Sequence, residues 1–315
     1  MKIKILDKKA IGEDTPLELL KELGEITVYD NTTQEELEER AKDADVLIFN
    51  KVKIGKNIIE KSKSLKLLCV FATGYDNIDI EAAKSHGVAV CNVPGYSTES
   101  VVLYTVATVT ALATRLFQYR EYVANGDYSK SDSANKLTPV YHEIANKTWG
   151  IIGYGNIGKA VGRVAEALGA RVLVNKRTKT GAANEVDIDT LCKESDIITV
   201  HCPLNDDTRN LINKDRLSLM KNDVIIVNEA RGAVLCENDV ADYLKNGKIG
   251  AFGCDVYSSE PFREDHPYYA IRNLPNVILT PHAAWASYEA RERCVKIIVD
   301  NIKSFLSGEK NNRIV

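Results

Sequence analysis

Arg231, Glu260 and His282 each stand just past a short apolar run, in the segments Asn228-Glu229-Ala230-Arg231-Gly232, Asp255-Val256-Tyr257-Ser258-Ser259-Glu260-Pro261 and Thr280-Pro281-His282. These residue types suit one chemistry. An imidazolium can protonate an oxygen on which negative charge develops, and a nearby carboxylate favours the protonated ring. A guanidinium can pair with a carboxylate and polarise the carbonyl beside it through fixed donors. His282 is thus the expected acid in reduction of a carbonyl, Glu260 its partner and Arg231 the substrate anchor. Each has a plainer explanation when taken singly: a solvated loop arginine, a turn glutamate before proline, a satisfied loop histidine. Their shared position at neighbouring strand ends favours the joint role, because ligands of open α/β sheets bind beyond the carboxyl ends of the strands.

The same edge carries a glycine loop. Thr148 to Ile152 reads as a strand, Gly153-Tyr154-Gly155-Asn156-Ile157-Gly158 follows, and Lys159 to Leu168 is an amphipathic helical stretch stopped by Gly169. The first glycine permits a tight turn, the second lets backbone approach a pyrophosphate, and the third lets helix and strand pack closely. Tyr154, Gly155, Asn156, Ile157 and Gly158 are therefore expected to hold a dinucleotide. An NAD site would place an acid after the next strand to bond the ribose 2′-hydroxyl. Here Val174-Asn175 is followed by Lys176, Arg177 and Thr178. These could bind a 2′-phosphate, so the segment favours NADP(H), with NAD(H) as the alternative if the basic side chains are merely solvated.

Two series of alternating strands and helices must position these groups. The first has strands near 2–6, 26–29, 46–49, 67–71 and 88–91, and the second near 148–152, 171–175, 197–201, 224–228, 249–255 and 277–279. Six strands match a dinucleotide-binding fold. The expected architecture is α/β, with two doubly wound parallel-sheet domains: a Rossmann cofactor domain (99–286) inserted in a flavodoxin-like substrate domain (1–98), and a last helix (287–315) returning to the latter. Pro94-Gly95-Tyr96-Ser97-Thr98-Glu99 is the expected hinge. In the first series, Ala72-Thr73-Gly74-Tyr75-Asp76 follows the fourth strand, and Thr73, Gly74 and Tyr75 could offer backbone N–H groups to a substrate carboxylate.

A net charge of -3 over 315 residues, with Lys and Arg scattered among acids, argues against a nucleic-acid surface. The longest apolar stretch, Val101 to Ala113, is interrupted by Thr105, Thr108 and Thr110 and reads as a buried helix, not a membrane span. The Met1-Lys2-Ile3-Lys4-Ile5-Leu6 start alternates like a strand and lacks the features of a signal peptide. Seven cysteines with no C-x-x-C pair suggest reduced core residues in a cytoplasmic protein, with no metal site.

Taken in order, Ala72 to Asp79, Gly150 to Gly158, His201-Cys202-Pro203-Leu204, Asn228 to Gly232, Asp255-Val256, Glu260-Pro261 and Pro281-His282 resemble the D-isomer-specific 2-hydroxyacid dehydrogenases over almost the whole chain. The segments 92–101 and 280–286 are similar to the glycerate dehydrogenase or hydroxypyruvate reductase branch. The resemblance implies reduction of a 2-oxo acid such as hydroxypyruvate or glyoxylate to the D-2-hydroxy acid, with Arg231, Glu260 and His282 in the roles above. It also implies cofactor contacts at His201, Pro203, Ala230, Asp255 (near the nicotinamide carboxamide) and His282, and a homodimer built on the cofactor domains. Leu103-Tyr104 stands where this branch commonly has Gln-His. A second possibility is a dehydrogenase-like corepressor that senses NAD(H) without turnover; the intact Arg, Glu and His set argues against it.

Overall fold

The β-branched runs form two all-parallel sheets in a computed structural model that describes residues 1–315. The chain divides into two units, Met1–Ser97 with Ala286–Val315, and Thr98–Trp285. In the first, β1 (Lys2–Ile5), β2 (Glu25–Val28), β3 (Val46–Phe49), β4 (Leu67–Val70) and β5 (Ala89–Cys91) lie in the order β2-β1-β3-β4-β5. β3 and β4 are buried throughout, as strands covered on both faces must be, while the edge strand β2 is partly exposed. α1 (Gln34–Ala41) opens with a capping box between Thr33 and Glu36; α2 (Lys56–Lys61) and α3 (Ile80–Ser85) complete the crossovers. The buried Asp7 ties the ends of β1 and β3 together by accepting the backbone N–H groups of Asn50, Lys51 and Val52.

The second unit begins with α4 (Thr98–Ala113) and α5 (Leu116–Ala124), set at 66° to each other. No single helix in the chain is long and apolar enough to cross a membrane, though this bent pair is when taken together. The apolar character of α4 reflects burial: Val101, Val109 and Leu112 are covered, and a Cβ on Gly253 would stand 2.4 Å from the Thr108 methyl. Glycine there lets helix and sheet approach.

The sheet consists of β6 (Thr148–Ile152), β7 (Arg171–Asn175), β8 (Ile197–Val200), β9 (Ile225–Asn228), β10 (Ala251–Cys254) and β11 (Val277–Leu279), joined through α6 (Asn156–Ala167), α7 (Ile188–Glu194), α8 (Lys214–Leu219) and α9 (Glu237–Lys245). Its order is β11-β10-β9-β8-β6-β7. The six strands expected from sequence are present, but the order differs from the 3-2-1-4-5-6 of the two-half dinucleotide fold. The position beyond β7 holds only an isolated parallel bridge, Val174 to Glu185, in place of a further strand. The switch in strand order therefore falls between β6 and β8.

α10 (Tyr288–Leu306), capped by Ser287, closes the chain. It buries Ala290, Cys294, Val295, Ile298, Val299 and Ile302 along one stripe within the first unit, and its Asn301 amide donates to Asn92 O at 2.9 Å. The last residues return to the edge of β5, where Ile314 N–H bonds Val90 O.

Candidate active site

The glycine loop is built at the strand switch. Gly153 has φ +90, and a Cβ there would lie 2.5 Å from Cys202 N and 2.6 Å from His201 C, so the β6 and β8 loops touch backbone to backbone. On Gly158 a Cβ would meet Gly153 O at 2.1 Å. The middle glycine differs: Gly155 is exposed and a Cβ on it would meet nothing within 4 Å. It is the N-cap of α6, with no side chain capping the first turn. Backbone N–H groups at the positive helix end thus face open space of the kind a pyrophosphate fills. Beside this loop, both ring nitrogens of His201 are buried without a hydrogen-bond partner, and burial pushes its pKa down to about 3. A neutral imidazole with two unsatisfied nitrogens awaits a polar partner. A dinucleotide fits these residues.

The end of β7 requires a correction. Lys176 does not stand open for a phosphate, because its Nζ is paired with Glu185 Oε1 at 2.5 Å and also reaches Thr180 Oγ1 at 3.1 Å. Glu185 additionally accepts Thr180 N–H at 2.7 Å and Gly181 N–H at 3.1 Å, and the hydrogen bonds from Lys176 and Thr180 hold its pKa down to about 2. Sequence inspection missed this acid because it arrives through the Val174 bridge and not directly after the strand. Arg177 and Thr178 are exposed.

The catalytic candidates share one edge. β9 ends in the fully buried Asn228, whose amide oxygen accepts Ala230 N–H at 3.1 Å and whose Nδ2 donates to Arg231 O at 3.0 Å. That side chain shapes the turn that presents Arg231, itself bonded from Nη1 to Ala230 O at 2.8 Å. His282 Nδ1 lies 2.6 Å from Glu260 Oε2, and Glu260 Oε1 accepts Tyr257 N–H at 3.1 Å. His282 has φ +56, a left-handed conformation that histidine tolerates better than β-branched residues do. The turn is fixed by buried Asp255, which accepts from Thr280 Oγ1 at 2.6 Å, Ala283 N at 2.9 Å and Ala284 N at 2.8 Å. Asp255 thus anchors the His282 loop, a role its sequence position did not suggest.

Two further groups escaped the sequence reading. Glu229 has a buried, unpartnered Oε2, and burial, with help from the Asp255 charge, pushes its pKa up to about 9. Burial pushes the Tyr104 hydroxyl pKa up, and the Asp255 and Glu229 charges act in the same direction. In the first unit, Thr73 Oγ1 is spent on Val93 O at 2.8 Å, so what the Thr73-Gly74-Tyr75 turn can offer an anion is backbone N–H.

The family model described as D-isomer specific 2-hydroxyacid dehydrogenase, NAD binding domain, matches residues 106–284. This chain belongs to that family. The dehydrogenase is 37% identical over 321 residues to a hydroxypyruvate reductase of Blautia hydrogenotrophica, covering 99% of each chain. It is 38% identical over 285 residues to a glycerate dehydrogenase of Methylorubrum extorquens, covering 90% of each. Among solved structures, an acyclic imino acid reductase in complex with NADPH and D-Arg superposes with a TM-score of 0.89 at 33% identity, over 100% of both chains. The chain is accordingly a D-2-hydroxyacid dehydrogenase of the glycerate dehydrogenase and hydroxypyruvate reductase branch, and its cofactor is a nicotinamide dinucleotide.

Proposed function

We propose that this dehydrogenase reduces a small 2-oxo acid, hydroxypyruvate or glyoxylate, to the D-2-hydroxy acid. The observation that carries the roles is the 2.6 Å contact between His282 Nδ1 and Glu260 Oε2. With Nδ1 turned to the carboxylate, Nε2 is the nitrogen proposed to serve substrate. When bound, the reduced nicotinamide supplies hydride to the carbonyl carbon. The carbonyl π electrons move to oxygen, and His282 Nε2–H delivers the proton there, so that the ketone becomes an alcohol with charge balanced by the imidazole. Glu260 stabilises the charged ring before transfer. Arg231 pairs with the substrate carboxylate and directs donors at the developing oxyanion. Backbone N–H groups of Thr73, Gly74 and Tyr75 are proposed as further carboxylate donors.

On the cofactor side, Tyr154 to Gly158 would hold the pyrophosphate, with His201, Pro203 and Ala230 along the nicotinamide half. NADPH is proposed over NADH. Exposed Arg177 and Thr178 support a 2′-phosphate, whereas the Glu185 carboxylate beside Lys176 works against it, so the preference is modest. The protein is proposed to be a cytoplasmic homodimer. No residue of α5 is buried, and Leu116, Phe117 and Val123 on it are exposed, as are Leu137, Val140 and Tyr141 beyond it. An apolar surface of that extent is suited to a second copy.

The test is loss of NADPH or NADH absorbance with hydroxypyruvate, glyoxylate, pyruvate and bulkier 2-oxo acids. Preference for the two small acids supports the assignment. Turnover confined to bulky substrates, or to 2-imino acids added in parallel, would overturn it.

A further inference from the structure

Beneath the catalytic loop lies a buried polar cluster that the roles above do not use. Glu237, the first residue of α9, is 8% exposed, and its carboxylate grips one residue twice: Oε1 accepts Ser258 N–H at 2.8 Å and Oε2 accepts Ser258 Oγ–H at 2.5 Å. His266, equally buried, places Nε2 at 3.0 Å from Glu237 Oε2, in an alignment too poor for a full hydrogen bond. Its Nδ1 accepts Tyr268 N–H at 3.2 Å, which leaves Nε2 as the proton-bearing nitrogen turned to the carboxylate. The rings of Phe262, Tyr257 and Tyr268 pack around His266. The buried Tyr268 and Cys254 also feel the Glu237 charge, and burial holds both un-ionised.

The gripped peptide is a junction. Tyr257 N–H, one residue before Ser258, holds Glu260 Oε1, and Glu260 Oε2 faces His282. From the other side, Gly232 presses on the same peptide: a Cβ there would lie 2.1 Å from Tyr257 C and 2.3 Å from Ser258 N. Gly232 follows Arg231 directly. One peptide bond, Tyr257–Ser258, is therefore fixed between the Arg231 turn and the Glu237 carboxylate, and the peptide just before it carries the N–H that aims Glu260. A buried carboxylate is a costly way to stabilise a fold, since an apolar side chain of similar volume often does as well or better. The helix N-terminus offsets part of that cost.

Resting on the roles proposed above, we propose that Glu237, braced by His266, is a positioning residue: it clamps Tyr257–Ser258 so that Glu260 meets His282 while Arg231 is held beside them. Glu237→Gln can no longer accept both Ser258 bonds in place, and the loop should loosen. The expected result is a fall in kcat of about tenfold to a hundredfold for 2-oxo acid reduction, as for other small misplacements of catalytic groups. NADPH affinity, read by fluorescence titration, should stay unchanged. The downfield proton resonance of the His282–Glu260 hydrogen bond should be present in the parent and absent from Glu237→Gln, a readout independent of turnover. Ser258→Ala, which removes the hydroxyl bond and keeps the backbone one, should give a smaller change in the same direction and serves if Glu237→Gln does not fold. A folded variant with lower kcat but an intact resonance would show a merely structural role and overturn the proposal. Normal turnover in His282→Ala would instead overturn the assignment of the acid on which it rests.

Discussion

His282 Nδ1 and Glu260 Oε2 lie 2.6 Å apart although 22 residues separate them and they follow different strands, β10 and β11. Both loops are held from below by buried groups: Asp255 fixes the backbone at Ala283 and Ala284, and Tyr257 N–H fixes Glu260. Tyr257 also donates its hydroxyl to Thr280 O at 2.7 Å, so the two loops are tied to each other as well as to the sheet. The pair is thus held in place from two strand ends, as the proposed proton-donor role of His282 would require.

Replacing His282 with Ala should lower kcat for 2-oxo acid reduction by about a hundredfold to ten-thousandfold, the usual contribution of a positioned general acid. Glu260→Gln should cost less, since the ring keeps a hydrogen-bonding neighbour and loses only its charge. Cofactor affinity should be unchanged in Glu260→Gln. Steady-state rates combined with NADPH titration check this, and a His282→Ala enzyme with parental kcat would remove the acid from its role.

Arg231→Lys keeps the positive charge and loses the planar fork. KM should rise and kcat fall together, because one group is assigned both the ground-state carboxylate and the developing oxyanion. A rise in KM alone would show that Arg231 binds substrate without assisting hydride transfer. Asn228→Ala, which releases the turn bonded to Ala230 and Arg231, should show the same pattern more weakly.

Much of this was legible in the sequence because backbone requirements leave local marks. Gly153, Gly155 and Gly158 mark the dinucleotide loop, and the strand series marks the two parallel sheets. Arg231, Glu260 and His282 were singled out by their place after strands, and the structure brings Glu260 and His282 into contact. What escaped depends on distant pairing. Glu185 reaches the end of β7 through a single bridge that no spacing rule anticipates, and it changes the environment of Lys176. Glu237 and His266 look like ordinary surface residues until packing buries them together, with the Glu237 carboxylate turned to the exposed Ser258. Asp255 stands in a recognisable position, yet its hydrogen bonds to the His282 loop follow from the approach of β10 to β11.

The Glu185 pair supplies a test of cofactor choice. Glu185→Gln removes a carboxylate that repels a 2′-phosphate and releases Lys176 from its partner, so NADPH should bind more tightly relative to NADH. Arg177→Ala should do the reverse, weakening NADPH by about tenfold, within the range of a lost charge-assisted contact. Equal changes for both cofactors in either variant, measured by calorimetry, would place the 2′ end elsewhere. Glu185 also has a stability signature. Its folded pKa of about 2 lies below the unfolded value of 4.5, so its contribution is present above pH 4.5 and is lost as pH falls through 2.

Glu229 should carry the opposite signature. Its pKa is raised to about 9 by burial first and by the Asp255 charge second, against an unfolded value of 4.5. Between those limits the folded protein holds a proton that the unfolded chain releases, so stability must decline as pH rises from 4.5 toward 9. The slope from this one group is bounded by about 1.4 kcal/mol per pH unit. Glu229→Gln has nearly the same volume, keeps a neutral polar end and removes the titration. Its stability relative to the parent should therefore grow with pH, by a few kcal/mol between pH 5 and pH 8 at the upper limit of that slope. Urea unfolding at the two pH values measures the difference directly. A gap that stays constant, or narrows as pH rises, would mean that Glu229 is already ionised in the folded protein.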